Sequence, residues 1–131
     1  MKTSEDTSKS RAASEEMRHR IRLMDQEIGH RVRIARQTLR VSQKNLGDAL
    51  GCTFQQIQKY EKGDNHISAP KLKLIAETLK VSPMDLLGET EKGKLMSELK
   101  DGDMLNLKGL HPHQQKLVRE MVSLLKKQTE K

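Results

Sequence analysis

The 131-residue chain is expected to be all-α: a five-helix domain over residues 26–88, a mobile N-terminal arm before it and an amphipathic helix near the C-terminus. Three observations predict this. Phe54 and Tyr60 are the only aromatic residues, so a core must be assembled from Leu, Ile, Val, Met and Ala, which suits thin helix-on-helix packing. Apolar residues recur at intervals of three and four. Short runs of that kind are framed by Ser or Thr on the N-terminal side and Gly on the C-terminal side, the residues that cap helices.

Taken in order, residues 1–14 (MKTSEDTSKSRAAS) carry almost no large apolar group and are expected to stay mobile. The flexible arm extends over residues 1–25, with a helical lead-in from about residue 15. From Met17 the apolar positions run Met17, Ile21, Met24, Ile28, Val32, Ala35 and Leu39, one face of a helix. Asp25 is the expected N-cap, so the first domain helix is placed at about 26–39, with Gly29 weakening its interior. Ser42 caps a second helix (QKNLGDAL), ended by Gly51. Thr53 caps a third (FQQIQKYEK), ended by Gly63. Ser68 caps a fourth, with Leu72, Ile75, Ala76 and Leu79 at core spacing. Ser82 and Pro83 open a short fifth, closed by Gly88. Residues 89–110, punctuated by Gly93, Gly102 and Gly109, read as a linker with one helical turn around 95–99. In the last helix, over 111–131, Leu117, Val118, Met121, Leu124 and Leu125 form an apolar face. That face must pack on something: its own domain, where Leu74 and Leu87 are the expected receivers, or the same helix of a second subunit.

Lys and Arg outnumber Asp and Glu by 25 to 18, and the excess concentrates in the central segment, with 10 against 6 over residues 26–88. A polyanionic partner is the first expectation. Cys52 stands alone and the five histidines are scattered, so neither an internal disulfide nor a metal site is expected. No cofactor is expected either. No apolar run approaches the ~20 residues that cross a bilayer. With no secretory signal, the expected place is the cytoplasm, at the nucleoid. An enzyme is not expected: no nucleophile and base stand in a telling pattern, and His111 and His113 lack a neighbouring carboxylate or thiol.

The segment QKNLGDALGCTFQQIQKY, residues 43–60, carries the functional signal. Two helices crossing steeply through a short turn need apolar anchors, a small residue at the crossing and a turn glycine. Leu46, Leu50, Ile57 and Tyr60, with Gly47 and Gly51, supply them. If Ile57 and Tyr60 turn inward, residues 54, 55, 58, 59 and 62 turn outward. Gln55 and Gln58 then present amides able to pair bidentately with adenine N6 and N7, and Lys59 adds a donor for guanine or phosphate.

These residues, with IGHRVRIARQ before them and YEKGDNHISAPKL and IAETLKVSPMDLL after, resemble the Cro and phage-repressor family of helix-turn-helix transcriptional regulators over residues 26–88. The resemblance implies a five-helix DNA-binding domain, most simply of a repressor, reading a two-fold operator as a homodimer. It implies base contacts from Phe54, Gln55, Gln58 and Lys59. Phe54 departs from the pattern, where a polar group is commoner, and either meets a thymine methyl or packs. Phosphate contacts fall to Gln43, whose backbone N–H heads its helix, and to Thr53, Asn65, His66, Ser68 and Lys71. Arg36 and Glu61 are implied to form an internal ion pair. Arg40 stands where relatives often place glycine, with strain or a shifted cap as the consequence. The alternative reading is an antitoxin or adaptor that binds a protein partner through the C-terminal helix and regulates itself through DNA.

Overall fold

The computed structural model describes the backbone of residues 4–103 and 112–129 and the side chains of residues 8–103, 112–113 and 115–124. Among these residues the chain is helical without a strand: α1 (Ser4–Thr38), α2 (Gln43–Leu50), α3 (Phe54–Lys62), α4 (Ala69–Thr78), α5 (Pro83–Leu86), α6 (Glu91–Glu98) and α7 (Pro112–Thr129). One apolar cluster joins them. Val32, Ile34 and Ala35 of α1 meet Leu46, Ile57, Leu72, Ile75, Leu79 and Leu86, and the cluster continues through Met96 and Leu99 to Leu117, Val118 and Met121.

The caps act as local chemistry requires. Ser42, Thr53 and Ser68 each accept a hydrogen bond from the backbone N–H three residues on, at 3.0, 3.2 and 3.3 Å. Ser82 and Asp85 complete a capping box at α5. Gly29, read as a weak point of α1, is a point of close approach instead: a Cβ there would lie 2.2 Å from the Tyr60 carbonyl oxygen. The crossing of α1 over the end of α3 therefore depends on its missing side chain.

Three expectations differ from what the structure shows. The N-terminal arm is helical from Ser4, as one continuous piece with the domain helix, although its side chains from Ser8 through Met24 face solvent. Neither glycine nor proline interrupts the first 28 residues, and a helix already nucleated by the packed domain extends at little further cost. Asp25 consequently lies inside α1 and is no N-cap; its carboxylate pairs with His66 of the loop after α3.

The expected linker holds α6, capped by Thr90, whose Oγ1 accepts from Gly93 N at 2.9 Å. Gly93 read as flexibility, but a Cβ there would sit 2.3 Å from the Asp85 carbonyl oxygen, so the glycine lets α6 lie against α5. Met96 and Leu99 are fully buried. Residues 104–110 of that linker, and His111, lie outside the described residues.

The α7 helix packs on its own chain, against α6, with Leu117, Val118 and Met121 buried in the common core. Leu74 and Leu87, the expected receivers, remain 48% and 40% exposed. The receiving surface is α6, which the glycine-rich reading of that segment concealed. Leu124 is half-buried, and the Leu125 side chain lies outside the described residues.

Polar contacts lock α6 and the following turn to α1. Arg31 Nε donates to Ser97 Oγ at 2.7 Å, and His30 Nε2 lies 2.6 Å from the Leu99 carbonyl oxygen. Arg33 binds Asp101 bidentately at 2.8 and 2.7 Å, and Gln37 also reaches Asp101. The Arg33 hydrogen bond, supported by Gln37, holds the Asp101 carboxyl below the usual carboxylate range. Within the core, Lys92 Nζ stands 3.9 Å from Asp85, and burial pulls the ammonium below its ordinary pKa against the pull of that carboxylate.

Candidate nucleic-acid interface

The turn between α2 and α3 fixes how α3 is presented. Gly51 adopts φ 70°, in the left-handed region that glycine occupies without strain, and Cys52 N closes the turn on the Gly47 carbonyl at 2.9 Å. A Cβ on Gly47 would come within 2.7 Å of the Cys52 oxygen, so the small residue admits the turn itself. From that corner α3 enters the core by Ile57, which is fully buried, with Tyr60 half-buried beside it.

The opposite face of α3 is open. Phe54 is 43% exposed, and Gln55, Lys59 and Lys62 are exposed with it. Gln58 is half-buried and donates from Nε2 to Gln43 Oε1 at 3.3 Å. Gln43 in turn donates to Glu61 Oε1 at 3.1 Å. The Gln43 side chain is thereby engaged inside the protein, while its backbone N–H remains at the head of α2. Thr53, Asn65, His66 and Ser68 lie at the surface, with Lys71 half-buried. The His66 ring is turned to Asp25, which its expected role did not include. No acidic side chain occupies the first turn of α2, α3 or α4, so their positive ends are left uncompensated, in contrast to α5 and α6 with Asp85 and Glu91.

Beneath this face lies a buried charge cluster. Arg36 Nε and Nη2 donate to the two oxygens of Glu61 at 2.7 and 3.0 Å, and Nη1 donates to the Val41 carbonyl at 2.9 Å. Arg33 Nη1 stands 4.0 Å from the same carboxylate. Glu61 thus ties α1, α2 and α3 together. The partners of Arg33 and Gln37 at Asp101 had no signal in the sequence, since 68 and 64 residues separate them and no spacing rule reaches that far.

Residues 32–86, from the last two turns of α1 to the end of α5, match the family model described as Helix-turn-helix. Over these residues the chain is similar to the helix-turn-helix family, in keeping with the resemblance to the Cro and phage-repressor type. Outside this helix-turn-helix unit lie the first part of α1 and all of α6 and α7.

Three curated relatives illustrate the likeness. An uncharacterised HTH-type transcriptional regulator of Sinorhizobium fredii is 42% identical over 85 residues, covering 65% of this chain and 59% of that protein. A similarly named protein of Sinorhizobium medicae is 47% identical over 60 residues, 46% of this chain and 42% of its own. An uncharacterised transcriptional regulator in the ATPase CF(0) region of Rhodospirillum rubrum is 46% identical over 59 residues, 44% of this chain and 54% of its own. The chain thus spans about three-fifths or less of these relatives' lengths. No solved structure matches it significantly. Among the described residues no helix is long and apolar enough to cross a membrane.

Proposed function

We propose that the protein binds duplex DNA sequence-specifically through α3 laid in the major groove, and that it regulates transcription by doing so. One observation carries this reading: α3 is anchored from below by Ile57 and Glu61 while Phe54, Gln55 and Lys59 stand exposed on its outer face. Gln55 supplies a bidentate amide for adenine, and Lys59 a donor for guanine or phosphate. The exposed Phe54 ring would meet a thymine methyl. Gln58 holds Gln43 with one amide hydrogen and keeps its carbonyl oxygen and second hydrogen for a base. Phosphates are met by the Gln43 backbone N–H and by Thr53, Asn65, His66, Ser68 and Lys71.

A two-fold operator is part of this reading, because one recognition helix reads too few bases for useful specificity, and repression by occupying that operator is its simplest form. The antitoxin or adaptor reading drew its support from an uncovered tail helix, and the burial of Leu117, Val118 and Met121 within the chain removes much of that face.

Selection of bound duplexes from a random pool, followed by footprinting on the selected site, tests the proposal. A single enriched motif whose protected bases respond to Gln55→Ala supports it. Enrichment of no motif, or a motif indifferent to residues 54–59, overturns it.

A further inference from the structure

The α1 helix runs well beyond the domain, and its exposed part carries an apolar seam. Met17, Ile21 and Met24 are 52%, 41% and 51% exposed, spaced four and three residues apart, and the next member, Ile28, is half-buried at the domain edge. A spacing that alternates four and three keeps one narrow stripe on a single side of a helix, the stripe a second helix covers in a coiled coil. Three exposed apolar side chains in line need a partner more than scattered ones do. The chain's own α7 packs elsewhere, with Leu117, Val118 and Met121 buried in the common core and the helix lying against α6.

We propose that the occupant is the same segment of a second copy, running antiparallel, so that α1 and not α7 joins two subunits. Charge selects the register. With Ile21 placed opposite Met24 of the second copy, Met17 falls opposite Ile28. On one flank Arg20 then faces the exposed Glu27, a pair made twice by the two-fold symmetry; on the other, Arg18 comes level with Asp25, whose carboxylate is already held by His66. A parallel, in-register pair would bring Arg20 only to Asp25, which His66 already engages.

Shape agrees with charge. Beside Ile28 the domain surface holds a groove of about 420 Å³ in which Met24, Ile28 and Leu87 stand with the charged Glu27, Arg31 and Glu89, so that its apolar part can receive the incoming Met17. An antiparallel partner brings a bare helix to that level, whereas a parallel one would bring its own domain there. The pairing deepens the DNA-binding reading by supplying the means of matching a two-fold operator, but it is tested without DNA.

Sedimentation equilibrium of the full chain at roughly 100 μM, well above micromolar dissociation constants, should show a dimer. Ile21→Glu with Met24→Glu should raise the dissociation constant at least about tenfold and, at concentrations low enough that both proteins are monomeric, leave the melting temperature of the domain unchanged, because both side chains face water in the single chain. Leu23→Gln, an exposed apolar position off the seam, should leave association unchanged. Arg20→Glu should weaken the dimer, and adding Glu27→Arg should restore it; in a parallel pair the second change would not rescue the first. A wild-type monomer, which would leave the seam to another protein or a lipid surface, overturns the proposal. So does a dimer indifferent to the Ile21 and Met24 changes, or one that the Glu27→Arg change fails to rescue. A monomer that still selects a single half-site would leave the DNA-binding reading intact.

Discussion

At the scale of single residues, the exposed and the buried polar groups of α3 should answer differently to substitution. Gln55→Ala removes an outward amide that touches nothing in the core, so it should cost about 1–3 kcal/mol of discrimination at one base pair and leave the melt unchanged. Competition binding with single-base variants of the selected site reads this directly. Lys71→Ala should weaken all sequences alike. Glu61→Ala leaves Arg36 buried without its carboxylate and frees Gln43 and Gln58, so unfolding by urea should show a loss of about 3–5 kcal/mol. Arg40 carries φ 57°, the left-handed conformation that costs a non-glycine residue about 1–2 kcal/mol. Arg40→Gly should therefore raise stability by a net ~0.5–1 kcal/mol after the added freedom of the unfolded chain is counted.

At the scale of elements, α6 acts as the joint between the helix-turn-helix domain and the tail. Met96 is fully buried there, and Met96→Ala should destabilise the protein by about 2–5 kcal/mol, a loss that a mere linker residue would not show. The turn after α6 hangs on Asp101. Because Arg33 and Gln37 lower its folded-state pKa, its contribution is present above the unfolded carboxylate value near 4 and is lost as pH falls through the depressed folded value. Thermal melts of wild type and Asp101→Asn should differ at neutral pH and converge in the acid range. The ends of α2, α3, α4 and α5 were legible because a capping Ser or Thr acts on a backbone group two or three residues away. The start of α1 was not, because helix extension from a packed nucleus depends on the domain behind it and not on the composition of residues 4–16. Nor was α6, whose Gly93 looks like a breaker until Asp85 is seen against it.

At the scale of the whole molecule, the excess of basic charge should appear as salt dependence of DNA binding. Each phosphate neutralised should contribute a slope of about −0.9 to log affinity against log salt, and Lys59→Ala and Lys71→Ala should each reduce the slope by about one phosphate if each makes such a contact. Fluorescence anisotropy across a salt series measures this, and a flat response would remove the groove reading. With two copies joined through α1, footprints should show half-sites about one helical turn, or ~34 Å, apart.

By itself the sequence determined the all-α class, the order of the domain helices from Ser42 to Leu86, and the inward set Leu46, Ile57, Ile75 and Leu79, since these rest on caps and periodicities that act within a few residues. It also marked Phe54, Gln55 and Lys59 as the outward face of α3, because turning Ile57 and Tyr60 inward fixes the rest of a helix. Only the tertiary structure decided where the tail packs, how Gln43 and Gln58 share the Glu61 cluster, and that Arg33 and Gln37 meet Asp101. Those hydrogen bonds join residues between 15 and 68 positions apart, and Leu117 could reach α6, Leu87 or a second subunit with equal local logic. Packing a common core removes that freedom: once Met96 and Leu99 are seated against α1, they present the apolar surface that Leu117, Val118 and Met121 cover.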